Sequence, residues 1–593
     1  MRRLSKREVE ALLDAVERAG EDIDAVRAAL AAVGVPPSML AVGLDELFEL
    51  AATLNETRRV PDADLLARAR AWLEDDPDAE TREELQRLLD GEDTAQLTDR
   101  FRARLGFGTA GIRGRLGAGP NRMNVAVVRA TAAGIAAWVQ EPERGVVVGR
   151  DARRRSDDFA RDVACVLAGA GIRALAVPGQ VPTPVVAFAV RHLGAAAGVM
   201  VTASHNPPDD NGVKVYGDDG AQIIPPADLD ISAHIHEVGA VRDIPLGDDV
   251  ENLGPDIVDA YLEHAASTIP SDGPRDVKVV HTALHGVGWE PLRRLFEMTG
   301  FPKPVATWEQ AHPDGSFPTL PFPNPEEPGA LDRALAVARA ARADVLLAND
   351  PDADRLGVAV RTSAGWRQLT GDEIGVLLAD HVLRLSSGAD RLVACSLVSS
   401  SMLERIAAAH RVHFRSTLTG FKWIVRAADD IPGARFVFGY EEALGYAIGD
   451  RVRDKDGLTA ALAVADLVAR LKAEGATVDD RLAELYGVHG FFATRQRSIR
   501  RPVPEIDAAV QRILAAPPSA IAGQPVLDVE RPASDILVLR LEGDGRVIIR
   551  PSGTEPKLKT YLQVVLDDVD RAAADAELDR LGRGVLDVLG LGD

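Results

Sequence analysis

The sequence predicts an α/β protein of several domains, with a smaller α+β domain at its C-terminal end. Three observations carry this. At 593 residues the chain is too long for a single hydrophobic core. Short apolar runs alternate with Ala/Leu/Arg-rich helical stretches through most of its length, the pattern of repeated βα units and mixed or parallel sheets. After about residue 490 the texture changes to strand-like segments closed by a helical tail, Arg571–Leu589.

Residues 1–60 stand apart from this scheme. Val9, Leu12, Leu13 and Val16, then Ile23, Val26, Leu30 and Val33, recur at helical spacing, with Gly20 between the runs and Pro36-Pro37 after them. Two short amphipathic helices are expected, as an accessory hairpin on the main body or as a partner-binding or oligomerisation element. From about residue 60 the apolar runs begin: Val146–Val148, Ala174–Val177, Gly198–Val201, Val277–Val280, Val345–Leu347 and Arg391–Ala394. Beyond residue 490 the runs are Asp535–Leu541, Arg546–Arg550 and Thr560–Val565.

Composition narrows the function. Hydrophobic residues make up 46% and charged residues 27%, the mix of an ordinary globular protein. The charged start has no apolar h-region and no apolar run approaches the ~20 residues of a membrane helix, so a cytoplasmic protein without a membrane partner is expected. Only Cys165 and Cys395 occur, which argues against a disulfide framework. The formal net charge of -22 disfavours nucleic acid as a partner. A phosphate ester would need basic residues concentrated locally against that field.

Three polar clusters each directly follow a short apolar run, where open α/β sheets place their ligands. Thr202-Ala203-Ser204-His205-Asn206-Pro207 offers a serine nucleophile, or else a polar turn closed by Pro207. It lacks the flanking glycines of a hydrolase elbow, and on an extended chain His205 need not be its base, so acyl transfer reads poorly. Asp350-Pro351-Asp352-Ala353-Asp354-Arg355 sets three carboxylates at alternate positions, which repel unless neutralised. Arg355 and Arg361 stand where an EF-hand needs Gly and Glu, so a hard divalent cation with open positions is the better reading. Arg550-Pro551-Ser552-Gly553-Thr554-Glu555-Pro556-Lys557-Leu558-Lys559 combines small residues with an arginine fork, suited to gripping an anion. Weaker pieces are the Phe107–Gly114 loop with Arg113, the lysine of Asn211-Gly212-Val213-Lys214, and Thr419-Gly420-Phe421-Lys422. Glu441 and Glu442 between glycines suit sugar hydroxyls, and Arg453-Asp454-Lys455-Asp456-Gly457 is a charged turn.

In this order and spacing, FGTAGIRG, TASHNP, NDPDADR, GYEEALGY and RPSGTEPK closely resemble the α-D-phosphohexomutase superfamily from about residue 65 to the end. The resemblance implies three βα domains with mixed sheets and a smaller C-terminal α+β domain around one central cleft. It divides the chain into a helical extension (1–60), domain I with the phosphoserine loop (61–245), domain II with the metal loop (246–365), domain III with the sugar loop (366–490) and domain IV with the phosphate loop (491–593). It implies phosphorylation of Ser204, with one Mg²⁺ held by Asp350, Asp352, Asp354 and the phosphoserine. Arg113, His205 and Lys214 would attend the transferring phosphate, Lys214 as general acid/base. Arg355, Thr419, Gly420, Lys422, Glu441, Glu442 and Lys455 would bind substrate, and Arg550, Ser552, Gly553, Thr554 and Lys559 would grip its non-reacting phosphate.

The likeness is strongest to the branch carrying GYEEA, TLTGFKW and VRDKDG, which includes phosphoglucomutases, phosphopentomutases and glucose-1,6-bisphosphate synthases. The expected activity is exchange of sugar 1-phosphate and 6-phosphate through a sugar 1,6-bisphosphate, glucose being favoured over mannose or ribose. The alternatives are a phosphomannomutase, a phosphopentomutase, or a glucose-1,6-bisphosphate synthase using an acyl-phosphate donor. A silent sugar-phosphate-binding protein would have lost the serine or an aspartate, and all four are present. A monomer or homodimer is expected.

Overall fold

The structure is a computed structural model that describes residue 28 and residues 63–551 and 557–591. The two helices expected within residues 1–60, and Ser552, Gly553 and Thr554 of the C-terminal loop, lie outside the described residues.

Three helices open the main body: Ala63–Asp75, Ala79–Asp90 and Thr94–Phe101. The expected βα alternation therefore starts later than residue 61. Leu65, Ala69, Leu85, Leu97 and Phe101 face one another and make a small core of their own, which explains why this stretch stays helical. Asp78 and Asp93 cap the second and third helices, each accepting a backbone N–H.

The first sheet contains β1 (Ile112–Arg115), β2 (Val146–Arg150), β3 (Ala174–Ala176), β4 (Ala197–Val201), β5 (Asp210–Tyr216) and β6 (Val250–Asn252), in the order β1-β5-β4-β2-β3-β6. Strands β2, β3, β4 and β6 run parallel, while β5 is antiparallel to both β4 and β1. β6 pairs with β3 although it lies beyond the expected boundary at residue 245. Its sequence, Val-Glu-Asn, is a short half-polar edge and carries no strand signal of its own. The helix Thr183–Leu193 shows the local logic. Pro184 sits in its first turn, and Gly194 ends it in a left-handed conformation (φ 66°).

The second sheet comprises β7 (Val279–Thr282), β8 (Val305–Ala306), β9 (Val345–Ala348), β10 (Gly357–Thr362) and β11 (Gly365–Gln368), ordered β11-β10-β9-β7-β8. The third has β12 (Arg391–Ser396), β13 (His413–Thr417), β14 (Arg435–Glu441) and β15 (Gly445–Ile448), ordered β13-β12-β14-β15. Both are mixed: β9, β7 and β8 run parallel and β10 and β11 join by antiparallel pairs, while β13, β12 and β14 run parallel and β15 is antiparallel to β14. The fourth is wholly antiparallel: β16 (Phe491–Arg500), β17 (Ala520–Ile521), β18 (Gln524–Ala533), β19 (Ile536–Leu541), β20 (Arg546–Pro551) and β21 (Lys557–Leu566). The helix Arg571–Leu589 packs on it through Leu578, Leu581 and Val585.

One contiguous apolar cluster, with Val147, Leu347, Phe438 and Leu539 among its members, reaches every sheet. Buried polar contacts add fixed orientations: Tyr216 donates to Asp454 (2.9 Å), and Tyr261 to Asp456 (2.8 Å). Four α/β units thus form one packed body, and the loops after β4, β9 and β14, together with strand β21, border the space between them.

Candidate active site

Ser204 sits in the turn joining β4 to β5. Its backbone takes a left-handed conformation (φ 53°), uncommon for a residue with a side chain. The Thr202 hydroxyl accepts the Ser204 N–H (2.8 Å), and Arg153 donates to the Ser204 carbonyl (2.7 Å). This corrects the reading of an extended chain. Because the turn is left-handed, His205 Nδ1 comes within 3.1 Å of Ser204 Oγ rather than pointing away. Burial, then the charges of Arg355 and Arg113, hold His205 well below its ordinary value, so the ring is neutral.

Ser204 Oγ donates to Asp350 Oδ2 (3.0 Å), joining the first motif to the second across 146 residues. Asp350, Asp352 and Asp354 are all buried, and one oxygen from each lies within 4.8 Å of the others. Lys214, 1% exposed, reaches them from β5. Its ammonium donates to Asp352 Oδ2 (2.7 Å) and Asp354 Oδ2 (2.8 Å). The β4–β5 hairpin explains this: Lys214 is ten residues from Ser204 in sequence but lies opposite Met200 in the sheet. Burial alone would lower Lys214 and raise Asp352. The mutual attraction outweighs burial, so Lys214 is raised and Asp352 depressed. Asp350 goes the other way, pushed well up by burial and then by its two carboxylate neighbours.

Asp352 Oδ1 and Asp354 Oδ1 are buried without a hydrogen-bond partner. Oxygen-only donors, two of them unsatisfied, fit a hard divalent cation.

Beside this cluster lies a cavity of about 710 Å³ bounded by His205, Glu326, Arg355, Glu442, Gln496 and Lys559, so all four domains contribute to its wall. Arg355, half-buried, faces Glu326 at 3.5 Å. Lys455, 8% exposed, lies 3.1 Å from Asp454 and 3.4 Å from Asp354, its ammonium over the Phe421 ring. Lys422 donates to Thr109 (2.7 Å), clasping the third domain to the glycine-rich loop of the first. Thr419 and Gly420 occupy the partly exposed turn before it. Arg113 on β1 presents a buried Nε without a partner, and its charge is felt at His205 and Lys214. Gly111 permits this approach: a Cβ there would lie 1.8 Å from the Val213 carbonyl.

The two glutamates differ. Glu442 accepts hydrogen bonds from Ser396 (3.1 Å) and Ser399 (3.2 Å), and is pushed up to about 7 by burial and then by Glu441. The Glu441 carboxylate, at the end of β14, makes no hydrogen bond or ion pair among the described residues. Arg550, at the end of β20, lies 3.9 Å from the Asp535 carboxylate. Lys559 is half-buried on β21, and burial lowers it.

Sequence reasoning missed three contributors. Thr183 donates to Asp352 Oδ2 (2.7 Å) from the start of its helix, and Glu326 faces Arg355 from a proline-rich loop. Arg153 was one arginine among three in a row, with no local signal to single it out.

Comparisons with known proteins bear on the fold and the family. Family descriptions for phosphoglucomutase/phosphomannomutase match four segments: alpha/beta/alpha domain I at 104–242, domain II at 259–365, domain III at 370–488 and the C-terminal domain at 499–581. A "Probable phosphomannomutase" of Haemophilus influenzae is 43% identical over 79% of this chain and 98% of its own. A "Phosphopentomutase" of Mus musculus is 34% identical over 85% and 90%, and a "Phosphoglucomutase" of Staphylococcus haemolyticus 32% over 82% and 95%. A solved phosphoglucomutase/phosphomannomutase family protein from Burkholderia thailandensis shares the fold, with TM-score 0.65 and 24% identity over 82% of this chain and 98% of that one. With all four domains matched in order, the chain belongs to the phosphoglucomutase/phosphomannomutase family, a family of intramolecular phosphotransferases.

Proposed function

We propose that this chain moves a phosphoryl group between the 1- and 6-positions of a sugar phosphate, with Ser204 as carrier and glucose phosphate as the preferred substrate. The observation that carries the reading is the contact of Ser204 Oγ with the Asp350 carboxylate inside a buried acidic cluster beside a cavity shared by four domains. Asp350, Asp352 and Asp354 would hold Mg²⁺ together with the phosphoserine. The ion would neutralise the carboxylates and draw charge from the phosphate oxygens.

The residues then divide the work. In the forward half-reaction the free sugar hydroxyl attacks the phosphoserine phosphorus. The P–Oγ bond of Ser204 breaks, the new P–O bond forms on the sugar, and the hydroxyl proton ends on Ser204 Oγ. Neutral His205, 3.1 Å from Oγ, is placed to relay that proton. Lys214 is held as an ammonium by two carboxylates, so it supplies charge or a proton and does not act as the base at neutral pH. The bisphosphate turns over, and its other phosphate returns to Ser204. Arg550 and Lys559 would hold whichever phosphate is not reacting.

Glucose is preferred on the strength of Glu441, whose carboxylate has no hydrogen-bond partner among the described residues and would accept from two neighbouring hydroxyls. A hydroxyl pointing elsewhere would leave it unpaired, which discriminates strongly. Relatives named phosphoribomutase and phosphopentomutase, at 35% and 34% identity, favour a pentose 1-phosphate as a second substrate. The test is a turnover panel on glucose, mannose and ribose 1-phosphates, with Glu441→Gln beside wild type. Glucose should give the highest kcat/KM, and the glutamine variant should lower it while leaving Mg²⁺ affinity unchanged. A higher kcat/KM for mannose or ribose, or a wild-type glutamine variant, overturns the sugar assignment.

A further inference from the structure

We propose that Arg153 is a positioning residue that sets the geometry of the Ser204 carrier and registers it against the second domain; this rests on Ser204 being the carrier. Arg153 lies just past the end of β2, beside the parallel strand β4 that leads into the serine turn. Its side chain has no exposure to solvent. Nη2 donates to the carbonyls of Ser204 (2.7 Å) and Asn206 (2.5 Å), and Nη1 to those of Pro207 (2.7 Å) and Asp210 (3.1 Å). Four carbonyl oxygens of one seven-residue stretch thus converge on a single cation.

Without that cation the buried Ser204 carbonyl would be left without its donor and the three part-buried carbonyls would lose their common partner, so the turn that holds Ser204 at φ 53° would lose what fixes it. The planar guanidinium suits the task, because its donors fan out in one plane on two edges. A lysine ammonium would reach only some of them.

The other side of the guanidinium belongs to the second domain. The Phe317 ring lies 4.9 Å from its centre, and the Arg153 backbone bridges to Gly315. Asp151 completes the surroundings, its carboxylate 3.5 Å from Arg153 Nε and accepting the Arg153 N–H (2.9 Å). The 315–317 segment runs on to Glu326 at the cavity wall, in the domain that carries the three aspartates. One side chain therefore fixes Ser204 within its own loop and relative to the acidic cluster that Oγ must meet. Arg153 touches neither Ser204 Oγ nor any of the three aspartates by hydrogen bond, so it acts through the backbone.

The experiment uses the full chain with Arg153→Met, Arg153→Lys and Phe317→Leu. It measures kcat and KM for glucose 1-phosphate, Mn²⁺ affinity by titration, and the thermal midpoint. Misplacing a reacting group by about 1 Å costs on the order of 100-fold, so Arg153→Met should lose about that much kcat while KM and Mn²⁺ affinity stay within about threefold. Arg153→Lys should recover part of the loss. Phe317→Leu, which leaves every hydrogen bond to the loop in place, should lower kcat about tenfold at unchanged KM, and it carries the test if the methionine variant does not fold. Wild-type kcat in Arg153→Met or Phe317→Leu overturns the proposal, as does a parallel fall of kcat, substrate affinity and Mn²⁺ affinity in folded protein. Ser204→Ala run alongside separates the two ideas. Activity in that variant defeats the carrier assignment, whereas its inactivity beside a fully active Arg153→Met defeats only the positioning role.

Discussion

Replacing Lys214 with methionine removes the one cation that bridges Asp352 and Asp354. At 2.7 and 2.8 Å each attraction is worth about 6 kcal/mol at an effective dielectric constant of about 20. Much of that offsets the cost of taking three charges out of water, so the net loss on breaking such a buried arrangement is about 3–5 kcal/mol. Set against a total of about 5–15 kcal/mol for a folded domain, the metal-free variant should unfold at a distinctly lower temperature. A divalent cation changes the sign of the comparison. In wild type the ammonium competes with the metal for the same two carboxylates, and in the variant it does not. Mn²⁺ should therefore bind Lys214→Met at least about tenfold more tightly, a gain of about 1.4 kcal/mol, and raise its thermal midpoint more than that of wild type. The assay is scanning calorimetry in EDTA and at matched Mn²⁺ concentrations, with binding followed by titration. Weaker Mn²⁺ binding by a folded Lys214→Met protein would refute the argument and show that the lysine orients the carboxylates rather than competing for them.

Several strands buried on both faces were legible, though the buried β5, β14 and β15 were not among the apolar runs read from the sequence. Gly198–Val201, Val345–Leu347 and Arg391–Ala394 match β4, β9 and β12 to within two residues, because a fully buried parallel strand is a continuous apolar run. The helix Arg571–Leu589 was read without error because Asp570 caps it and Gly590 ends it. β6 was illegible, since an exposed three-residue edge has no pattern to read. The site divides in the same way. Ser204 and the three aspartates announce themselves through local spacing. Their contact, and the reach of Lys214 and Thr183 into Asp352, depend on how two domains dock. Arg153, Arg154 and Arg155 are indistinguishable in sequence. Only the first is buried in the serine turn, while the second pairs with Asp209 and the third with Asp78 and Glu80. Removing an aspartate does more than relieve repulsion among the three carboxylates. Asp352 accepts from both Lys214 and Thr183, so Asp352→Asn breaks an ion pair as well as a metal site.

Ser204→Ala should abolish turnover, and mass spectrometry of active wild type should find phosphate on Ser204; near-normal activity in the alanine variant sinks the carrier role. Arg550→Ala should raise KM for glucose 1-phosphate, since a charge-assisted pair to phosphate is worth about 1.5–3 kcal/mol, and an unchanged KM would reduce Arg550 to a surface residue. The last prediction concerns Glu442, whose carboxyl is pushed up to about 7 by burial first and by Glu441 second. In the unfolded chain it titrates at about 4.3. Between those two values the native state holds a proton that the unfolded state has released. Stability must therefore fall as pH rises through that window, and be fully present only below it. Partial exposure of the side chain and the two serine hydrogen bonds moderate the loss, leaving roughly 1–3 kcal/mol between pH 4.5 and pH 8. Glu442→Gln keeps an oxygen for Ser396 and Ser399 but cannot ionise. It should resemble wild type in thermal midpoint at pH 4.5 and exceed it at pH 8. A difference between the two proteins that does not change with pH would mean that Glu442 is not protonated in the folded protein.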